Sequence, residues 1–197
     1  MTNRRDILRG AAALPLVAAP LRTALAAGAQ VLSLERLVYD VRFAESGAIA
    51  EHAESLGLRL SPVADDLMSL WYDELDLAWR KAPMALGGVT LADAMFVLET
   101  FALDRNMHVV YRGEHGLVEN GHITHRLAGP ASLIERLSPL RAPWEQALAS
   151  ALGECPLGAP ELARVELVTE GAALSLRDVP LYSWIIAPRS AVASRVS

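Results

Sequence analysis

Cysteine is almost absent from this chain, since Cys155 is the single one among 197 residues. One cysteine cannot supply an internal disulfide, a CxxC redox pair, a CxxCH haem attachment or a cysteine-bound iron–sulfur cluster. Stability must therefore come from packing, and any metal would need histidine and carboxylate ligands. Because Cys155 has no histidine nearby in the sequence, an inert thiol is favoured over a nucleophile.

Lysine is equally rare, because Lys81 is the only one, and the formal net charge is −5. Nucleic-acid binding depends on clustered Lys and Arg side chains that neutralise phosphates. The composition therefore argues against a nucleic-acid partner. The chain also lacks an unbroken apolar run of about 20 residues, the length that a membrane-spanning helix needs, so we expect no stable membrane span.

Signatures of common catalytic and nucleotide-binding sites are missing as well. The chain contains no G-x-S-x-G, Walker A, H-E-x-x-H or G-x-G-x-x-G pattern. What it does have is the composition of a globular protein, with 52% hydrophobic and 21% charged residues. A chain of this length and composition can build the core of one domain.

The amino terminus carries the most specific pattern. Residues Asn3-Arg4-Arg5-Asp6-Ile7-Leu8-Arg9 resemble the twin-arginine (Tat) export signal, in which two arginines precede any residue and a large apolar pair. Asn3, Ile7 and Arg9 depart mildly from the usual residues of that signal. An Ala-rich apolar stretch from Gly10 to Leu21 follows, and Ala24-Leu25-Ala26 provides the small residues of a cleavage site.

This resemblance is confined to roughly the first thirty residues. It implies that the Tat translocase reads Arg4 and Arg5, that residues 1–26 are removed, and that the folded cargo reaches the periplasm. Folded export is typical of proteins that acquire a cofactor or a partner before they leave the cytoplasm. A membrane anchor or an amphipathic surface helix is the alternative, but the apolar stretch is shorter than a membrane span and Pro15 and Pro20 interrupt it. Because residues 1–26 contain four arginines and one aspartate, their removal changes the formal charge from −5 to −8.

The rest of the chain, residues 27–197, is expected to form a single α/β domain with a loose tail from about residue 188. Arg36–Phe43 predicts a strand, Ser46 an N-cap for a helix that ends at Gly57, and Leu58–Leu60 a second strand. Such a β-α-β unit favours parallel pairing. The pattern Glu119-Asn120-Gly121-His122 predicts a hairpin turn. We therefore expect a mainly parallel sheet with flanking helices and an antiparallel hairpin extension.

Four further helices are predicted from spacing and caps. Asp65 or Asp66 caps the first, in which apolar residues recur at three- and four-residue steps until Pro83. The second, Leu91–Asn106, is apolar almost all round, which predicts a buried helix. Pro130 and Trp144 begin the other two, and later strands are expected at residues 107–112, 165–168 and 182–187.

The first candidate site lies at the end of the first strand. Asp40 and Arg42 are two residues apart and so share a face, and the helix that Ser46 would cap can offer backbone N–H groups to an anion. Ligands of open α/β sheets bind outside such strand ends. We therefore consider a site for a small anionic ligand at Asp40, Arg42, Ser46 and Arg112. The alternative is an Asp–Arg pair that only satisfies the strand end.

The second candidate group combines histidines and carboxylates. Glu99 is a carboxylate on an otherwise apolar helix, where it is either an acid/base group or the one solvent-facing position. His115, His122 and His125 near the hairpin could bind zinc, and His115 with Glu114 or Glu99 could act as an acid/base pair. His122 and His125 face opposite sides of a regular strand, whereas His115 could meet one of them across the hairpin. Solvated surface histidines are the alternative.

Two functions follow from these observations. The first is a periplasmic accessory subunit or small-ligand-binding protein, because folded export coincides with the absence of a catalytic signature. The second is an exported hydrolase or lyase that uses His115 with Glu114 or Glu99, with zinc if the three histidines converge. The sequence does not identify a cofactor.

Overall fold

A computed structural model describes residues 30–64, 66–117, 121–141, 143–157, 161–170 and 179–188. For the strand residues 30–33, 117 and 154–157 it describes the backbone only. The Tat-like segment with Arg4 and Arg5, residues Asp65, Glu119 and Asn120, and the tail beyond residue 188 lie outside the described residues.

The described residues form eight strands. Their bounds are β1 Gln30–Asp40, β2 Arg59–Val63, β3 Ala85–Thr90, β4 Met107–Leu117, β5 His122–Pro130, β6 Glu154–Leu157, β7 Leu162–Glu170 and β8 Leu181–Pro188. The helices are α1 Ala44–Ser55, α2 Leu67–Ser69, α3 Asp76–Lys81, α4 Ala92–Leu103, α5 Ala131–Leu137 and α6 Trp144–Gly153, with a π-helical turn, Leu70–Leu75, between α2 and α3.

Seven strands make one sheet in the order β2-β1-β3-β8-β4-β5-β7, and β6 pairs with the start of β1. Only the pairs of β1 with β2 and with β3 are parallel. The predicted α/β class and β-α-β unit are confirmed, but the prediction of a mainly parallel sheet is wrong. The reason is a long-range pairing: β8, the last described strand, inserts between β3 and β4 and runs antiparallel to both.

Helices cover the sheet on both faces, and each face has its own core. On one face α1, α5 and α6 contribute Ile49, Leu133 and Leu148 to a cluster that includes Leu37 and Ile185 of the sheet. On the other, the helical segment 67–81 and α4 pack against Val38, Leu86, Trp184 and Ile186. Alternate residues of β8 thus serve opposite cores, as the two-residue period of a strand requires.

Two predicted helix features need correction. Helix α1 begins at Ala44 with Phe43 as N-cap, so Ser46 lies inside its first turn. Helix α4 is buried on one side only, since Met95, Leu98 and Ala102 are buried whereas Phe96 is 67% and Leu103 55% exposed. The predicted cap at Asp66 is confirmed, because its carboxylate accepts a hydrogen bond from the backbone N–H of Ser69 at 3.0 Å.

Candidate functional site

His115 and His125 meet across the β4–β5 hairpin. The two residues are directly opposite in the antiparallel register, and their Nδ1 atoms lie 2.7 Å apart. This distance is that of a hydrogen bond, so one imidazole donates its proton to the other. Both side chains are completely buried.

Hydroxyl groups extend this contact across four neighbouring strands. On the β8 side, His115 Nε2 is 2.8 Å from Ser183 Oγ, which is 3.1 Å from the Tyr111 hydroxyl. On the β7 side, His125 Nε2 is 2.8 Å from Thr169 Oγ1. We call these five residues, Tyr111, Ser183, His115, His125 and Thr169, the histidine chain.

Gly113 makes room for one end of the histidine chain. It lies between Tyr111 and His115 on the same face of β4, and a Cβ built on it would be 2.5 Å from Ser183 Oγ and 2.7 Å from the Tyr111 hydroxyl. Real Cβ atoms essentially never approach other atoms so closely. A side chain here would therefore displace the two hydroxyl groups from each other.

Trp144, the first residue of α6, covers the histidines on the helical side. Its ring centroid is 4.9 Å from that of His115 and 5.0 Å from that of His125. Trp144 is itself buried, in the core of α1, α5 and α6. The histidine chain is thus sealed between the sheet and α6.

Burial determines the protonation of the pair. Desolvation lowers the pKa of His125 to about 4. Desolvation, together with the nearby charge of His125, lowers the pKa of His115 well below its usual value. Both imidazoles are therefore neutral at pH 7, which leaves one proton for the contact between the two Nδ1 atoms.

Neutral imidazoles allow the chain two orientations. In one, Ser183 donates to His115, His115 to His125, and His125 to Thr169; in the other, every donor and acceptor is reversed. Each orientation satisfies all four ring nitrogens, as buried polar groups require. The arrangement can transmit a change of proton position, but it presents no ring nitrogen to a bound molecule.

The three predicted zinc ligands do not converge. His122 lies on the face of β5 opposite to His125, since β5 is regular from His122 to Pro130. Two nitrogens on one tetrahedral zinc are about 3.3 Å apart, farther than the His115–His125 contact. Residues 30–188, outside their undescribed gaps, contain no group of three His, Cys, Asp or Glu side chains that could hold a metal.

The predicted acid/base partners lie on the other side of the sheet. Glu114 points away from its neighbour His115 and accepts a hydrogen bond from Arg126 at 3.1 Å. Glu99 of α4 accepts one from Arg112 at 2.7 Å. Neither carboxylate reaches the histidine chain, so the pairs considered from the sequence are not assembled.

Asp40, Arg42 and Ser46 do come together, but they bind one another and the local backbone. The Asp40 carboxylate accepts hydrogen bonds from the backbone N–H and the guanidinium of Arg42. The Ser46 hydroxyl donates to the carbonyl oxygens of Asp40 and Phe43. Arg112 is not part of this group, because it pairs with Glu99. The geometry matches the alternative of an Asp–Arg pair at a strand end.

A serine–histidine contact was not anticipated from the sequence. His52 Nε2 of α1 is 3.0 Å from Ser150 Oγ of α6, beside an open hollow of about 330 Å³ lined by Glu51, Glu145 and Gln146. Such a contact is the first requirement of a nucleophile and its base. No carboxylate in the described part of the chain hydrogen-bonds to the His52 ring to orient it, and the contact joins α1 to α6.

The residues that sequence reasoning missed are Tyr111, Ser183 and Thr169. Nothing local distinguishes Ser183 and Thr169, because each reaches a histidine from a neighbouring strand that is distant in sequence. For Tyr111 the sequence does contain a signal, the spacing Tyr111-x-Gly113-x-His115. It places a tyrosine, a glycine without a side chain and a histidine on one face of the strand.

Comparisons with known proteins add no relative. No protein-family model matches the sequence, and neither curated proteins nor solved structures give a significant match. Within the described ranges, no helix has the length and apolar character needed to cross a bilayer.

Proposed function

We propose that this protein is an exported accessory subunit that binds a partner protein through the outer side of α4. The carrying observation is that Phe96 and Leu103 are 67% and 55% exposed. They are seven positions apart in the sequence, so they lie on one side of the helix, two turns apart. We call this side the α4 surface.

Exposed apolar side chains of this size favour burial by a partner. Complete burial of a Phe or Leu side chain contributes about 1.5–3 kcal/mol relative to exposure. Aromatic residues are also enriched among the residues that dominate protein–protein binding. The partner is therefore expected to present an apolar groove that accepts the Phe96 ring.

The surroundings of α4 hold this surface in place. Trp71 of the π-helical turn stacks on Phe101 of α4, with ring centroids 4.7 Å apart. Arg105, just after α4, donates hydrogen bonds to Asp76 of α3. Burial raises the pKa of Asp76, but the hydrogen bond and charge of Arg105, with those of Arg80, outweigh it and lower the pKa. The α4 surface is thus a preformed feature of the fold.

The candidate polar groups favour binding over catalysis. The histidine chain is sealed beneath Trp144, and Asp40, Glu99 and Glu114 each accept hydrogen bonds from a neighbouring arginine. An enzyme that used the acid/base groups considered from the sequence would need one of them to reach a substrate. A protein-binding role needs only the α4 surface.

Photo-crosslinking in cells tests the partner. The full chain would carry a benzoyl-phenylalanine in place of Phe96, and a matched chain would carry it in place of Leu56, which is also exposed but follows α1. We expect one dominant adduct with another protein from position 96, and its loss when Leu103→Lys is added. Equal labelling from both positions, or an adduct only with a second copy of this chain, contradicts the proposal.

Export is part of the proposal and has its own test. Residues Asn3 to Arg9 and the cleavage pattern at residues 24–26 support delivery by the Tat translocase to the periplasm. Replacing Arg4 and Arg5 together by Lys is expected to abolish recovery of the protein from the periplasmic fraction, as measured by immunoblotting. Undiminished recovery would contradict export by the Tat translocase. Binding through the α4 surface would then be tested in the cytoplasm.

A further inference from the structure

Strand β7 forms one edge of the sheet and exposes every second side chain. In the described part of the chain, β7 pairs with β5 on one side and with no strand on the other. Its exposed residues are Leu162, Arg164, Glu166, Val168 and Glu170. Leu162 is 74% and Val168 60% exposed, which is unusual for a long edge strand because such edges readily pair with another chain.

The opposite edge of the sheet is different. Strand β2 has five residues, and Pro62 stands exposed within it. Proline has no backbone N–H and so cannot continue a ladder of hydrogen bonds. Strand β7 has nine residues and no proline, so its edge is the one able to add a strand.

The residue order of β7 is complementary to itself. If two copies pair antiparallel with Val165 opposite Val165, Arg164 of each copy lies opposite Glu166 of the other. In the same register Leu162 of each copy lies opposite Val168 of the other. Opposite charges and apolar pairs at directly facing positions stabilise antiparallel strands.

Neighbouring registers do not share this property. Residues that face each other across the two β7 strands must point to the same face of the joined sheet. The partner of each residue can therefore change only by two positions from one register to the next. One step in either direction sets Glu166 against Glu166 or Arg164 against Arg164. Like charges directly opposite are destabilising, so a single register is favoured.

We propose that two copies of this chain form a two-fold symmetric dimer through antiparallel β7–β7 pairing in this register. The two seven-stranded paths then join into one continuous sheet, and the backbone groups of both β7 edges are paired. The interface is isologous, because the same surface is used by both copies. It does not use Phe96 or Leu103, so it is independent of the α4 surface.

Charge reversal in the full chain tests the pairing by sedimentation velocity over a concentration series. Arg164→Glu and Glu166→Arg each replace two attractive facing pairs by two repulsive ones, so we expect the dimer dissociation constant to rise about tenfold or more. The double variant Arg164→Glu/Glu166→Arg restores opposite charges at both positions. Its dissociation constant is expected to return toward that of the parent chain.

Two further variants keep the result interpretable. Arg59→Glu reverses an exposed charge on β2 and should leave the dimer unchanged. Leu162→Lys should weaken it, because Leu162 faces Val168 of the second copy. Thermal unfolding of every variant checks the fold, since Glu166 also accepts a long hydrogen bond from Arg126 at 3.4 Å.

Three outcomes overturn the proposal. They are a parent chain that stays monomeric at the highest soluble concentration, a double variant no tighter than either single variant, and a dimer that all β7 changes leave intact. Restoration in the double variant supports it, because Arg164 and Glu166 then compensate each other as facing residues of the two copies do.

Discussion

Gly113 is the residue that allows the Tyr111 end of the histidine chain to form. Two hydroxyl groups occupy the space that a side chain would need, and both belong to residues that are completely buried. The glycine is therefore required by its neighbours rather than by a turn. The sequence pattern Tyr111-x-Gly113-x-His115 carries this constraint, although its partner Ser183 lies far along the chain.

Gly113→Ala is expected to destabilise the protein by about 1–3 kcal/mol, because the added methyl group overpacks the core and separates a buried hydrogen-bonded pair. Chemical denaturation measures the change. Gly116→Ala is the matched control in the same strand, where the nearest atom to the new Cβ is Pro180 Cβ at 3.8 Å. Equal losses of stability in the two variants would show that a methyl group at position 113 does not disturb the Tyr111–Ser183 hydrogen bond.

The protonation of His115 and His125 makes stability depend on pH. Both pKa values are lowered in the folded protein, to about 4 for His125. Below about pH 6.5 the unfolded chain binds protons that the folded chain excludes. The contribution of the pair is therefore complete above pH 6.5 and is lost as the pH falls toward 4. Each histidine adds a slope of up to about 1.4 kcal/mol per pH unit.

Denaturation midpoints between pH 7 and pH 4 test this dependence. The two histidines make the free energy of unfolding fall as the pH falls. We expect His125→Gln to remove about half of this histidine-dependent change with pH, whatever the effect of the substitution on stability at pH 7. His122→Gln, on the other face of the same strand, is the matched substitution that leaves the histidine chain intact. A parent protein with the same slope as His125→Gln would contradict the neutral buried pair.

At the scale of elements, α6 acts as the cover of the histidine chain. Its first residue, Trp144, packs against both imidazoles, and the rest of the helix contributes Leu148 and Leu152 to the core. The protection of the histidines is therefore a property of how α6 docks on the sheet. The sequence predicted this helix, whose observed bounds are Trp144–Gly153, and also strands within β4, β7 and β8, but not the order in which those strands lie beneath it.

Trp144→Phe is expected to speed the reaction of His115 and His125 with diethyl pyrocarbonate, because the smaller ring leaves space above the imidazoles. Mass spectrometry of the modified peptides measures the rates. Trp184→Phe is the control, since Trp184 is equally buried but belongs to the opposite core. If both variants speed the modification of the histidines equally, unfolding of the whole domain, and not packing of Trp144 on the imidazoles, controls the rate.

At the scale of the whole molecule, β8 holds the sheet together. It lies between β3 and β4, and its residues Ile185 and Ile186 enter opposite cores. The amino-terminal strands β1, β2 and β3 connect to β4, β5 and β7 only through it in the strand order. The sheet is thus complete only when nearly the whole chain is present.

Truncation tests this role. A chain that ends at Pro180 is expected to lack cooperative unfolding and near-ultraviolet dichroism, because the central strand is missing. A chain that ends at Pro188 keeps β8 and is expected to unfold like the parent. If the chain is exported folded by the Tat translocase, as proposed, only the longer truncation should reach the periplasm. A folded shorter chain would contradict the central position of β8.

The sequence by itself determined what depends on near neighbours. The β-α-β unit, the cap at Asp66, a contact of His115 with a histidine across the hairpin, and the helices from Pro130 and Trp144 all follow from spacings of a few residues, and the structure has each of them. Contacts within one helix, hairpin or β-α-β unit are local, so their residue patterns carry the information.

Only the tertiary structure decided the direction of the sheet, the sealing of the histidines and the exposure of Phe96. Each depends on strands or helices that lie far apart in sequence, such as β8 between β3 and β4 or Thr169 beside His125. Periodicity tells which residues prefer burial, but not which distant segment covers them. That choice is made by the packing of the whole chain, where apolar surface is buried and every enclosed polar group must find a partner.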